Sequence, residues 1–178
     1  MVIWITGISG SGKSTLCDAL HAVLKPRIPE LVILDGDVVR EAFGGDLGYR
    51  EEDRVVQITR LRGLARALSE QGLVVIVAAL YAHPDLLDWN RENIPGYFEI
   101  YLDAPLSLVQ ARDPKGLYAK AAAGEMPDVV GIDIPWHAPA RPDLRIDMTG
   151  NEAPEALARR VIEAVPGLSA RTRMPAHG

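Results

Sequence analysis

Apolar residues in this chain gather into five short runs, separated by stretches whose apolar positions recur every three or four residues. The runs are VIWIT (2–6), LVILD (31–35), VVIVAA (74–79), YFEIYLDA (97–104) and LRIDMT (144–149). They are rich in Val and Ile and of strand length; the stretch 73–80 is apolar at every position, as in a strand covered on both faces. The intervening stretches predict helices over 13–24, 37–43, 51–71, 84–92, 105–112 and 153–165. Strands alternating with helices imply an α/β fold, a parallel sheet of about five strands with helices on both faces. Residues 113–142 are rich in Gly, Pro and Ala without a strand pattern, so a mobile lid with one short helix near 118–123 is expected there. A single domain over 1–165 results. The tail 166–178, ending RTRMPAHG, is expected to be flexible and to carry no chemistry.

Composition narrows the function classes. The 178 residues carry a net charge of −5, which argues against nucleic acid or an anionic membrane as partner. The apolar start runs straight into Gly7 and Lys13, giving neither a signal-peptide pattern nor the roughly 20 apolar residues of a membrane span. A cytoplasmic location is therefore expected. The one cysteine, Cys17, falls inside the first predicted helix and reads as a small core residue. The four histidines show no metal-ligand spacing.

GISGSGKST, residues 7–15, follows the first strand and opens the first helix, and it matches G-x-x-x-x-G-K-S/T. Glycines let the backbone curl so that its N–H groups point at phosphate, and the helix N-terminus adds positive charge. Gly7, Ser9, Gly10, Ser11, Gly12, Lys13, Ser14 and Thr15 are thus candidates for ATP, with Lys13 on its β and γ phosphates and Ser14 offering a hydroxyl to Mg²⁺. The P-loop nucleoside-triphosphate hydrolase fold follows. Guanine-specific GTPases carry N/T-K-x-D, which this chain lacks, and its length leaves little room for motor apparatus. A small-molecule kinase is the expected enzyme, with a non-catalytic nucleotide-binding regulator as the alternative of another class.

The second strand ends in ILDGDVVR, placing Asp35 and Asp37 at the carboxyl edge of the sheet, where open α/β folds bind ligands. Asp35 is expected to hold Mg²⁺ or its water shell. Asp37, read as the helix N-cap, is expected to accept the proton of an attacking hydroxyl, or only to cap its helix. Arg40 follows on the same helical face, and Arg54, Gln57 and Arg60 recur every third residue on the next helix, a stripe suited to an anionic acceptor or merely a solvated face. ARDPKGLYAK places Arg112, Lys115 and Lys120 around a turn that can close over phosphates. Trp136 is the one tryptophan considered for a ligand contact.

Taken together, GISGSGKST, LDGD with Arg40, DLGY followed by Asp53 and Arg54, RDPKGLY, GID and PWHAP resemble the adenylylsulfate kinases, in that family's order from Val2 to about Asp147. The resemblance implies transfer of the γ-phosphate of ATP to the 3′-hydroxyl of adenosine 5′-phosphosulfate (APS), giving PAPS for sulfate assimilation, with Mg²⁺ as cofactor. It puts residues 7–15 and Arg112 on the ATP side. Asp37, Arg40, Tyr49, Arg54, Lys115, Gly116, Leu117, Val129 and Ile132 fall on the acceptor side. A homodimer is also expected. Departures cluster on the acceptor side: DRVVQITR stands for the family's DR-x-EN-I-RR, VVGID for F-T-G-I-D and LYAHP for I-S-P-F/Y-R. They leave a second acceptor open, another nucleotide-linked anion such as cytidine diphosphoramidate in polysaccharide modification.

Overall fold

The computed structural model describes residues 1–173. Five strands, β1 (Val2–Thr6), β2 (Leu31–Asp35), β3 (Val74–Ala79), β4 (Tyr97–Asp103) and β5 (Leu144–Asp147), form one sheet in the order β2-β3-β1-β4-β5. Every pairing is parallel. Each strand coincides with a predicted run, and β1 and β3 are buried at every position, which is why their sequences show no polar alternation. β5 stops two residues early because the Asp147 carboxylate accepts from the backbone N–H and the hydroxyl of Thr149, turning the chain away from the sheet.

Alternate residues of the strands feed two cores. Ile3, Ile5, Ile76 and Ile100 pack with Leu16, Leu20 and Leu24 of α1 (Lys13–Leu24) and with Leu157, Val161 and Ile162 of α7 (Pro154–Ala164). Val2, Trp4, Val75 and Val77 face the other way, onto Ile58, Leu61 and Ala65 of α3 (Glu51–Glu70) and Leu86 and Leu87 of α4 (Pro84–Asn93). Glu51, Glu52 and Asp53 in the first turn of α3 complement its helix dipole. Cys17 is a buried core thiol, pushed up to about 12 by desolvation.

The remaining helices are α2 (Gly36–Ala42), α5 (Leu106–Arg112), α6 (Leu117–Ala122) and α8 (Leu168–Arg173). The last corrects the expectation of a frayed tail. Leu168 is fully buried in the core beside α7, so helix continues after the Val165 break; residues 174–178 lie outside the described residues. Between α5 and β5 the chain makes only α6 and one bridge, Val130 to Ile134. No helix among the described residues is long and apolar enough to cross a membrane.

Candidate active site

β1 delivers the chain to the carboxyl edge of the sheet, where residues 7–12 curl into a loop before α1 begins at Lys13. Gly7 must be glycine: a Cβ there would stand 2.6 Å from the Ser11 hydroxyl and 2.9 Å from the Leu102 carbonyl. Gly12 caps α1 in the left-handed region, with φ of 100°. Ser9, Gly10, Gly12, Lys13, Ser14 and Thr15 line a cleft of about 1210 Å³, while Gly7 and the fully buried Ser11 lie behind it as support.

Lys13 as a whole is half-buried, but its ammonium turns into the loop and donates to the carbonyls of Gly7 (2.7 Å) and Ile8 (3.1 Å). Desolvation lowers its pKa to about 8, against the opposing pull of Asp37 and Asp35. The Ser14 hydroxyl donates to Asp35 at 3.1 Å. These two oxygens side by side suit Mg²⁺, a hard cation that takes one or two protein ligands and completes its shell with phosphate and water.

Asp35, not Asp37, is the N-cap of α2: its carboxylate accepts from the backbone of Asp37 (2.9 Å) and Val38. The helix starts one residue earlier than predicted, because Gly36 already adopts helical geometry. Asp37 is thereby released from capping. Its side chain is 73% exposed and pairs across the cleft with the Lys115 ammonium at 2.7 Å. That partner holds the Lys115 pKa above its ordinary value.

Beyond Asp37 the wall is cationic. Arg40 donates to the carbonyls of Leu47 and Gly48 and lies over the Tyr49 ring at 4.9 Å. Arg54 approaches the same ring at 5.8 Å and donates to the Asp128 carbonyl at 2.7 Å. Burial, with Arg40 nearby, lowers the Arg54 pKa. Gln57 is buried and donates to the Gly36 carbonyl at 2.9 Å, bracing the turn between the two aspartates. Tyr49, Arg112, Lys115, Leu117, Lys120 and Val129 complete the predicted residues that line the cleft. Arg112 also donates to the Met148 carbonyl at 3.3 Å.

Four residues singled out in the sequence stand elsewhere. Arg60 forms a two-pronged pair with Asp46 and covers the Phe43 ring outside the cleft. Six residues at 100° each carry it about 120° around the helix from Arg54, so a three-residue repeat cannot keep all three on one stripe. Ile132 lies past the turn at Gly131 and faces an outer notch beside Ile8, Leu106 and Trp136. Gly116 takes the left-handed cap of α6 and leaves its neighbours Lys115 and Leu117 to face the cleft. Trp136 packs near Tyr101, 6.2 Å between centroids, rather than lining the cleft.

Two tyrosines were missed. Tyr81 is buried, lines the cleft and donates to Glu51, and Tyr118 donates to the Ser9 carbonyl at 3.0 Å. Tyr81 follows the carboxyl end of a central parallel strand, a position that itself signals the ligand edge. Nothing in the sequence pattern connects Tyr118 with Ser9, 109 positions away.

A phosphate-binding backbone on one wall, facing an exposed carboxylate and arginines on the other, makes this cleft that of a phosphotransferase, and the protein is a P-loop kinase. The adenylylsulphate kinase family description matches residues 1–147, and the chain belongs to that family. It is 40% identical over 163 residues to the adenylyl-sulfate kinase of Pseudomonas aeruginosa, covering 90% of this chain and 83% of that one. It is 41% identical to the bifunctional enzyme NodQ of Azospirillum brasilense over 91% of this chain, and spans 26% of that longer protein. Among solved structures, the APS kinase of Mycobacterium tuberculosis in complex with AMPPNP and APS superposes with a TM-score of 0.83 at 36% identity, covering 92% of this chain and 95% of that one.

Proposed function

We propose that this kinase transfers the γ-phosphate of ATP to the 3′-hydroxyl of APS, with residues 7–15 and Arg112 on ATP and Asp37, Arg40, Tyr49, Arg54, Gln57, Lys115, Leu117 and Val129 on the acceptor. The observation that carries the reading is the continuity of the cleft. It runs from Lys13 and Ser14 to Arg54 and Val129, and its 1210 Å³ exceeds the roughly 300–1,000 Å³ of a one-ligand site. Lys13, Arg40, Arg54, Arg112, Lys115 and Lys120 line the cleft of a protein of net charge −5, and give two anionic ligands their counter-charges.

In this reading Lys13 exchanges two loop carbonyls for phosphate oxygens, and the loop N–H groups stabilise charge on the transferring group. Asp37 exchanges Lys115 for the acceptor hydroxyl, orients it and takes its proton, while Lys115 moves to the phosphosulfate of the acceptor. Positioning outweighs base strength, because phosphoryl transfer has a loose transition state. Ser14 and Asp35 would hold Mg²⁺, which supplies charge neutralisation on the phosphates. Residues 113–142 serve as the lid that excludes water. The exposed Val38, Phe43, Val55 and Val56 support a homodimer, which light scattering tests. A cytoplasmic location, where ATP is available, belongs to the same reading.

The test is a screen of nucleotide acceptors with ATP and Mg²⁺, following ADP release. Stoichiometric ADP with APS is expected. Robust transfer to a cytidine diphosphate derivative without transfer to APS would overturn the acceptor. Val129 is an aliphatic wall where the family pattern has an aromatic, so Val129→Phe adds a stacking face worth about 1–3 kcal/mol. Its kcat/KM for APS should rise at least several-fold with kcat little changed; because Val129 also packs on Tyr118 and Ile8, a fall in a variant that keeps the parent's unfolding midpoint would place a different base at that wall.

A further inference from the structure

Four tyrosine hydroxyls reach partners from buried or half-buried positions. Tyr81, Tyr97 and Tyr101 donate to carboxylates, those of Glu51, Glu99 and Asp103. Tyr118 instead donates to a backbone carbonyl of the phosphate loop, that of Ser9. Its ring is 5% exposed and sits in a small core of its own with Ile8, Ala104, Val109 and Val129. That core joins a loop residue (Ile8), a residue of α5 (Val109) and the acceptor wall (Val129). The short segment that leads into Tyr118 is rigid for local reasons: Gly116 caps α6, and the Asp113 carboxylate accepts from the Ala119 N–H at 2.9 Å. Three residues before Tyr118 on that segment, Lys115 reaches Asp37.

Resting on the two-ligand reading of the cleft, we infer that Tyr118 is a positioning residue that couples its two halves: by holding the Ser9 carbonyl, its hydroxyl ties α6 to the phosphate loop and so sets where Lys115 stands on the acceptor side. The same bond turns the Ser9 carbonyl away from the phosphates, toward which only N–H groups should point. Burial pushes the phenol up to about 12, so the hydroxyl keeps its proton and donates throughout the working pH range. A ligand that fixes the loop thereby fixes α6, and the Lys115 ammonium arrives at the acceptor side without a separate ordering cost.

Tyr118→Phe keeps the ring in its core and removes only the bond to Ser9. Tyr101→Phe is the control, since it removes a phenol bond of similar length to Asp103, a residue that does not line the cleft. A non-hydrolysable ATP analogue should bind Tyr118→Phe about fivefold more weakly than the parent, the effect of one net hydrogen bond, and Tyr101→Phe as the parent does. Amide hydrogen exchange across residues 115–122 reads the coupling itself and needs no acceptor. In the parent and in Tyr101→Phe the analogue should slow exchange there about fivefold or more; in saturated Tyr118→Phe that protection should be lost. Unchanged affinity in Tyr118→Phe, or protection of α6 that survives the substitution, would overturn the inference. Absence of analogue binding in the parent would instead overturn the donor reading on which it rests.

Discussion

Raising the pH above 8 should weaken ATP binding through Lys13 alone, and the enclosure of its ammonium sets the size of the effect. In the ligand-free protein the ammonium has exchanged water for two carbonyls, and desolvation lowers its pKa to about 8. About half of it is neutral at pH 8 and about nine-tenths at pH 9. A triphosphate placed against it restores the charged form, raising the pKa well above the pH of the experiment. ATP binding should therefore take up about half a proton at pH 8, and affinity should fall about twofold there and about tenfold by pH 9, relative to neutral pH. The sign for stability is opposite: since the folded pKa lies below the unfolded one, the charged ammonium costs stability below pH 8, and the cost fades between pH 8 and 10.5. Neighbouring groups leave this window clear, because Lys115 is raised by Asp37 and Cys17 is pushed up to about 12. The Met1 ammonium, lowered by desolvation, donates to the Leu73 carbonyl and does not line the cleft. Phosphate ionisations lie near pH 6 and are complete before the window opens. Calorimetric titration with a non-hydrolysable ATP analogue, in two buffers of different ionisation enthalpy, gives proton uptake and affinity together. Affinity flat to pH 9.5 with no proton uptake at pH 8 would refute the reasoning and return Lys13 to an ordinary solvated pKa.

Asp37→Asn should lower turnover on the order of 100-fold or more while ATP-analogue affinity stays within about twofold, because its carboxylate faces the acceptor; an equal loss of ATP binding would assign it to the metal instead. Arg54→Ala should cut acceptor kcat/KM about 10- to 100-fold, whereas Arg60→Ala, whose guanidinium is tied to Asp46, should leave it within about twofold. Steady-state kinetics on the pair decides whether the three-residue stripe or the helical geometry describes the site. Leu168→Ala should destabilise the fold by about 2–5 kcal/mol in denaturant unfolding without altering KM for ATP, since its side chain is buried beside α7 and does not line the cleft.

The donor half was legible because its chemistry is contiguous: nine residues carry the curl, the ammonium and the hydroxyl, and strand and helix follow directly on either side. β1 and β3 were legible for a related reason, being buried at every position and so apolar at every position. The acceptor half is assembled from α2, α3, the end of β3 and the stretch around Val129, and sequence spacing mispredicts wherever local periodicity is carried too far. Arg60 shows this on a helix; Ile132, put on the acceptor side by the family resemblance, is carried to an outer notch by the turn at Gly131. That Asp35 rather than Asp37 caps α2 has a different origin. Either aspartate can cap a helix, and only the backbone angles at Asp35, extended rather than helical, decide between them. Leu168 escapes the pattern because its neighbours Gly167, Ser169, Arg171 and Thr172 set up no helical period, and its burial depends on a surface that α7 provides.

The turn from Asp35 through Gly36 to Asp37 constrains how this enzyme can be redesigned. One carboxylate faces the donor's serine, the next faces the acceptor's lysine, and the carbonyl between them is gripped by Gln57. A library aimed at new acceptors that touches this tripeptide or its brace would shift both substrates at once and return mostly inactive clones. Diversity placed at Tyr49 and Tyr81, which line the same cleft and contact Arg40, Arg54 and Glu51 rather than the tripeptide or the phosphate loop, would vary the recognised group against a constant phosphoryl donor.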